Sequence, residues 1–262
     1  MTAGPLSLPP PPLSPDTGPI ADAALFLDFD GTLVEIAPTP DAVRVQPGLP
    51  RLLQRLSTGL NGALAIVSGR PLRDLDRFLP VPIAKVGDHG ATLRPVPGQP
   101  PESPDLPEAP AEWRARAAAL VERFPGALIE DKEHGFVVHY RLAPEAGPVA
   151  KALLDGLLSG TPGGGAFDLL EARMAWEVRP RGASKGTAVR ALMNRAPFAG
   201  RRPVFIGDDV TDEEGMAVAR EFGGLGLRLQ DAFGEPEALR GWLARCAPPA
   251  AGPDAGNEAP SA

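Results

Sequence analysis

The stretch Ala24–Ile36, "ALFLDFDGTLVEI", decides the fold. It opens on a short, uninterrupted apolar run. That pattern suits a strand buried on both faces, as in a parallel sheet covered by helices. It then sets Asp28 and Asp30 two positions apart and follows them with Gly31 and Thr32. A buried carboxylate is costly unless it is paired, hydrogen-bonded or bound to metal. Two of them repel, so this strand end calls for a cation.

The pattern repeats outward from there. "GLPRLLQRLSTGL" carries Leu49, Leu52, Leu53, Leu56 and Leu60 at helical spacing, and "GALAIVSGR" is a second buried-strand run. "PLRDLDRFL" reads as a helix with Pro71 suited to its first turn. "PIAKVGDHGATLR" brings a further short strand and a turn. Strand alternating with helix predicts an α/β parallel sheet. The composition then shifts: "PVPGQPPESPDLPEAP", 95–110, has seven prolines in sixteen residues and marks a domain boundary, with no role assigned beyond a hinge. A helix, a strand hairpin ("GALIEDKEHGFVVHYRL"), a helix and two more strands follow. The α/β pattern resumes with "SKGTAVRALMNRA", where Ser184 is placed to cap a helix, then "RPVFIGDDVTDEEGMAVAREF", a last strand in "GLGLRL" and a last helix. The reading is a discontinuous α/β core over 21–100 and 181–246, interrupted by an α+β unit over 101–180. Residues 1–20, with seven prolines, and 247–262 read as disordered tails.

Composition sets limits on function. Of 262 residues, 43% are apolar, enough for a sizeable core, and the net charge of −7 disfavours a nucleic-acid partner. An anionic substrate needs local cations. The single cysteine, Cys246, cannot form an internal disulfide and suits a reducing compartment. There is no apolar run of 18 residues, so no membrane helix is expected. The first residues also lack the charged start and continuous apolar stretch of a secretory signal, so the expected location is cytoplasmic.

Ligands of open parallel sheets bind at the carboxyl ends of the strands. Three strand ends here carry unusual chemistry: Asp28 to Thr32, Ser68-Gly69-Arg70, and Gly207-Asp208-Asp209. Lys185 opens the helix that returns to the core. Acids, a hydroxyl, a lysine and glycines on one edge can hold a divalent cation and a phosphate together. Hard carboxylate oxygens suit Mg²⁺, which prefers one or two protein carboxylates plus substrate phosphate. Asp28 and Asp30 point locally to one side, Asp208 supplies a further carboxylate, and Gly31 leaves its amide accessible to an anion.

The order DxDGT, SGR, SKG, GDDxTDE resembles that of the haloacid-dehalogenase-like phosphatases, and the insertion after the second motif resembles the subgroup with a large α+β cap (C2B type). "VGDHGATLR", "EDKEHGFVVHYR", "WEVRPRGASKG" and "VFIGDDVTDE" are similar to trehalose-6-phosphate phosphatases, over residues 22 to about 245. The resemblance implies a Rossmannoid core and a phosphatase acting through an aspartyl-phosphate. Asp28 is then the nucleophile, and Asp30 the general acid and later base. Mg²⁺ lies on Asp28, the Asp30 carbonyl and Asp208. Ser68 and Lys185 bind phosphate oxygens, with Gly31, Thr32, Gly69 and Arg70 beside them. Asp209 and Asp212 fix either the metal site or Lys185. In the cap, Glu130, Lys132 and Glu177 contact the disaccharide, with Arg141 and His89 near the pocket. Asp131 is out of phase with its neighbours and faces away, and His139 and Tyr140 are expected to pack or hydrogen-bond locally. Thr92 departs from the pattern, since an acid often stands there. Another sugar phosphate, such as sucrose 6-phosphate or a mannosyl or hexose phosphate, is the alternative substrate. A trehalose-6-phosphate synthase is the implied functional partner.

Overall fold

The computed structural model describes Ile20, residues 22–172 and residues 174–249. The Pro-rich tails expected at the two ends lie outside these residues, apart from Ile20 and residues 247–249. Ile20 is not tail-like: it is buried and belongs to the main apolar core.

Strand β1 (Ala23–Leu27) is buried along its whole length. It lies inside a six-stranded sheet with β2 (Leu64–Val67), β3 (Ala84–Gly87), β4 (Thr92–Arg94), β9 (Arg202–Gly207) and β10 (Leu225–Arg228), in the order β10-β9-β1-β2-β3-β4. All pairings are parallel except β3 with β4. The three strands whose ends carry the unusual chemistry, β9, β1 and β2, are therefore immediate neighbours. Their following residues, Asp208, Asp28 and Ser68, emerge on one edge.

Helices α1 (Leu49–Gly59), α2 (Leu72–Phe78), α5 (Lys185–Met193), α6 (Glu213–Glu221), α7 (Leu229–Ala232) and α8 (Pro236–Cys246) accompany this sheet. In α1, Leu49, Leu53 and Leu56 turn inward together at helical spacing. Ser184 caps α5 as its position predicts: its hydroxyl accepts from the Thr187 amide, and the Thr187 hydroxyl accepts from the Ser184 amide.

A second sheet is antiparallel, with order β5-β6-β8-β7: β5 (Leu128–Asp131), β6 (Phe136–His139), β8 (Ala175–Pro180) and β7 (Phe167–Ala172). Its period-2 alternation separates two faces. Phe136, Val138, Tyr140, Trp176 and Val178 pack with α3 (Ala111–Val121) and α4 (Ala146–Gly160) in a separate apolar core. Glu130, Val137, His139, Ala175 and Glu177 lie on the other face and line a pocket shared with Asp28 and Ser68.

The stretch 95–110 differs from a free hinge. Leu93 and Glu102 exchange two backbone hydrogen bonds, at 2.8 and 2.6 Å. Arg195 grips the Glu102 carboxylate at 3.0 and 2.8 Å. At the far end the Ala109 amide donates to the His134 carbonyl, tying the stretch to the second sheet's hairpin. Proline removes backbone donors, so these few bonds carry the attachment.

Candidate active site

Asp28 follows β1 and is 4% exposed, Lys185 opens α5 at 2%, and Asp212 follows β9 at 0%. The Lys185 ammonium donates at 2.6 Å to Asp28 Oδ1 and at 2.6 Å to Asp212 Oδ1. Asp212 Oδ2 accepts from the backbone amides of Asp208 and Asp209 at 3.1 and 3.0 Å. Asp212 thus fixes Lys185 and the turn bearing Asp208 at once. Asp209 does something more local: its Oδ1 accepts from the Val210 amide at 2.7 Å and caps the turn.

Asp28, Asp208 and Asp212 each bring one carboxylate oxygen within 4.8 Å of the others. Three carboxylates against one ammonium leave negative charge uncompensated. Burial, and after it the Asp212 charge, push the Asp28 carboxyl well above the usual range, with Lys185 opposing. Asp208 is raised as well, first by burial, with the Thr32 hydrogen bond opposing. The converging donors are hard oxygens, a set suited to Mg²⁺. The carboxylate cluster includes Asp212 beside Asp28 and Asp208, whereas the sequence reading assigned Asp30 to the metal through its backbone carbonyl. The Asp30 side chain is turned elsewhere: Arg70 grips it from both sides, Nε to Oδ2 at 2.5 Å and Nη2 to Oδ1 at 2.8 Å. A bidentate arginine on a carboxylate is among the stronger neutralising contacts. The Arg70 guanidinium also lies 5.0 Å from the Phe78 ring centre.

Two residues expected at phosphate are therefore engaged otherwise. Arg70 is held on Asp30. Thr32 is fully buried, and its hydroxyl donates to Asp208 Oδ1 at 2.9 Å, so its side chain supports the Asp208 carboxylate. Gly31 has φ +84°, and a Cβ there would lie 2.3 Å from Asp208 Oδ2, so only glycine admits this approach. Ser68 is buried beside Asp28 in the pocket wall, and its Oγ accepts from the Arg70 amide at 3.1 Å. A Cβ on Gly69 would meet the His89 ring at 2.2 Å.

The opposite wall comes from the second sheet. Lys132 donates to Glu130 Oε1 at 2.5 Å and across to the Gly69 carbonyl at 2.7 Å. His139 Nε2 lies 2.8 Å from Glu130 Oε2. Burial opposes ionisation of Glu130, but the His139 hydrogen bond and the Lys132 charge outweigh it and bring its pKa down to about 2. Glu177 is buried, with Oε2 at 3.0 Å from His89 Nε2. Burial works against its charge too, yet His89, Lys132 and Arg179 hold its carboxyl below the usual range. His89 reaches this position from a turn in which Asp88 and His89 both have left-handed backbone, φ 48° and 52°. Non-glycine residues seldom adopt that conformation, and it concentrates at functional turns. Arg141 donates to the Ala37 carbonyl at 2.6 Å, closing the second sheet against the loop after β1. Thr92 donates to Asp88 Oδ2 at 2.9 Å, so an acid stands four residues upstream of the position where one was expected. Asp131 faces away and is exposed, with Arg114 at 3.1 Å.

His139 makes the local hydrogen bond expected of it, to Glu130, but the sequence reading did not place it in the pocket it lines. The signal was strand parity: it shares a face with Val137 and Arg141, and Arg141 had been placed at the pocket.

A doubly wound sheet with aspartates at the ends of adjacent strands, facing an inserted antiparallel sheet, defines the haloacid-dehalogenase-like class. Within it, the chain belongs to the trehalose-phosphatase family, whose sequence model matches residues 26–232. It is 40% identical over 234 residues to a probable trehalose-phosphate phosphatase of Sinorhizobium fredii, covering 86% of this chain and 87% of that one. It is 39% identical over 211 residues to the trehalose-6-phosphate phosphatase of Escherichia coli, covering 80% and 78%. In fold it is similar to the C-terminal domain of the Candida albicans trehalose-6-phosphate phosphatase, with a TM-score of 0.70, 20% identity, and coverage of 86% of this chain and 92% of that one. No helix among the described residues is long and apolar enough to cross a membrane.

Proposed function

We propose that the protein hydrolyses trehalose 6-phosphate to trehalose and phosphate, with Asp28 as nucleophile. The observation that carries this reading is the shared pocket: a lysine-neutralised aspartate at its floor and three charged cap residues, Glu130, Lys132 and Glu177, on its opposite wall. Charged partners suit a ligand that presents hydroxyls on every side, since charge-assisted hydrogen bonds are stronger than neutral ones.

In the first step an Asp28 oxygen attacks phosphorus, and the bond from phosphorus to the sugar oxygen breaks as an aspartyl-phosphate forms. Asp30 gives the departing sugar oxygen a proton. In the second step Asp30 takes a proton from water as that water attacks phosphorus and frees Asp28. Splitting one displacement into two is the advantage of a carboxylate nucleophile. Both Asp30 oxygens are held by Arg70 here, so delivery of the proton calls for rearrangement of that pair. Lys185 and Ser68 would bind the phosphate oxygens.

The excess carboxylate at Asp28 and Asp208 fits Mg²⁺. These two residues would hold the ion, with the Asp30 carbonyl, while Asp212 keeps Lys185 and the turn in place. When bound, Mg²⁺ supplies positive charge that screens carboxylate from phosphate and favours in-line displacement. A cytoplasmic setting suits the lone thiol of Cys246, and the enzyme that makes the sugar phosphate, a trehalose-6-phosphate synthase, is the functional partner.

The test is phosphate release from trehalose 6-phosphate, sucrose 6-phosphate, glucose 6-phosphate, mannose 6-phosphate and a small aryl phosphate, each with Mg²⁺ and with a chelator. Fast turnover of trehalose 6-phosphate alone, and only with metal, is expected. Equal turnover of all five would leave the core chemistry standing and overturn the assignment of the cap. Turnover that survives chelation would overturn the role of Mg²⁺.

A further inference from the structure

The cap-side pocket wall holds one hydrogen-bonded chain that crosses from one sheet to the other. It runs from His139 through Glu130 and Lys132 to the carbonyl of Gly69. Glu130 is the middle link, and both of its oxygens are used, one by each cation-capable neighbour. We infer that His139 is a positioning residue for sugar recognition: it fixes the Glu130 carboxylate, and through it Lys132, in the pose that meets the substrate. The inference rests on reading Glu130 as a sugar ligand.

The geometry makes this role specific to His139. In the sheet register Glu130 pairs with Val137, and His139 pairs with Leu128 and Ala175. His139 is thus the diagonal neighbour of Glu130 on the same face, and diagonal pairs are within reach of long or aromatic side chains. The residues paired with His139 across the sheet, Leu128 and Ala175, are apolar, and its ring nitrogen meets Glu130. Glutamate is a rotamer-rich side chain whose ordering is costly. Held only by Lys132 at Oε1, it would pivot about that bond. The second contact at Oε2 fixes the carboxylate plane. An ionised carboxylate has about four lone-pair positions, so two remain for substrate hydroxyls. The far end of the chain is the loop Ser68–Arg70, which carries Ser68 of the phosphate site. Loss of His139 is therefore felt where the cap wall meets the core loop.

The experiment compares His139→Ala and His139→Gln on trehalose 6-phosphate and on a small aryl phosphate that lacks a sugar. A hydrogen bond to a charged group is lost in His139→Ala, so KM for trehalose 6-phosphate is expected to rise about ten-fold. The kcat at saturation changes by less than about two-fold, and kcat/KM on the aryl phosphate falls far less than on the sugar phosphate. Glutamine can donate from its amide to Glu130 Oε2, so His139→Gln recovers most of the loss. An unchanged KM in His139→Ala, an equal loss on both substrates, or no recovery by His139→Gln would each overturn the inference. Lack of preference for trehalose 6-phosphate in the unmodified protein would instead refute the proposed substrate. The positioning role is then decided by crystal structures of both variants, where a Glu130 carboxylate in its original place in His139→Ala would refute it.

Discussion

Replacing Lys185 by alanine tests the electrostatics at the floor of the site. The ammonium lies 2.6 Å from both Asp28 Oδ1 and Asp212 Oδ1, and all three residues are buried. Removing one member of a buried ion pair leaves an uncompensated charge and costs about 3–5 kcal/mol. In a domain of this size each kcal/mol moves the melting temperature by about 2–4 °C, so the variant should melt about 6–20 °C lower in buffer without divalent cations. The pH dependence has a definite sign. The Asp28 carboxyl is raised, first by burial and then by Asp212, so the folded state keeps a proton that the unfolded chain has already released. Stability therefore falls as pH rises through that interval. Without Lys185 the interval extends upward, and the deficit should be larger at pH 8 than at pH 5. The assay is thermal and urea denaturation at both pH values, with Lys185→Ala/Asp28→Asn as the second arm. Removing the unpaired carboxylate should return about 1–3 kcal/mol. A loss below about 1 kcal/mol in Lys185→Ala, or no recovery in the double variant, would refute the view that Lys185 is the charge holding these carboxylates together.

Three further outcomes follow from the same contacts. Asp30→Asn should lose turnover of sugar phosphates by at least about a hundred-fold while retaining more on an aryl phosphate, whose leaving group needs little protonation, and steady-state rates on the two substrates check this. Gly31→Ala should lose most activity, because its Cβ would fall 2.3 Å from Asp208 Oδ2 at a φ of +84°; phosphate release and Mg²⁺ titration by calorimetry check it. Glu130 has its pKa lowered to about 2 from an ordinary 4.5, so its pairing stabilises the cap fully above about pH 4.5 and is lost as pH falls toward 2; hydrogen exchange at β5 amides against pH should show the loosening, and Glu130→Gln should abolish that dependence.

Much of the core was legible because its strands are unambiguous. The run ending at Asp28 and the run "VFIG" are apolar on both faces, and a strand buried on both faces has few other ways to satisfy its backbone. From those strands, the convergence of Asp28, Ser68 and Asp208 followed, since parallel strands place their carboxyl ends on one edge. Strand β4 was not legible: Thr92–Arg94 is three residues long and holds its place by antiparallel pairing with β3. Along the hairpin, parity put Glu130 and Lys132 on one face and Asp131 on the other, while Glu177 joined them only through the family resemblance. Parity gave the face of each residue but not its partner. That Arg70 grips Asp30, 40 residues away, or that Thr32 reaches Asp208, 176 residues away, depends on side-chain directions that only the packed structure sets.

The placement of the cap between the two halves of the core has a chemical consequence. Glu177 sits on β8 in the cap wall, and Lys185, which neutralises Asp28, begins α5 only eight residues later. The short link Arg181–Ser184 joins the two, so the cap wall cannot tilt freely without pulling on the start of α5. The seam is fastened on both sides of that link. His89 holds Glu177 at 3.0 Å, and Arg179 holds Glu214 of α6 at 3.0 Å. On the other side of the pocket, Lys132 reaches Gly69 and Arg141 reaches Ala37. A bound molecule that displaced the contacts of the buried Lys132 or Glu177 would have to replace them with hydrogen bonds of its own, because those two groups are too buried to rely on water. Small phosphates without a sugar cannot supply those replacements. Selectivity for a large sugar phosphate can therefore arise from the cost of opening the seam, borne by every ligand and offset only by one long enough to reach both walls.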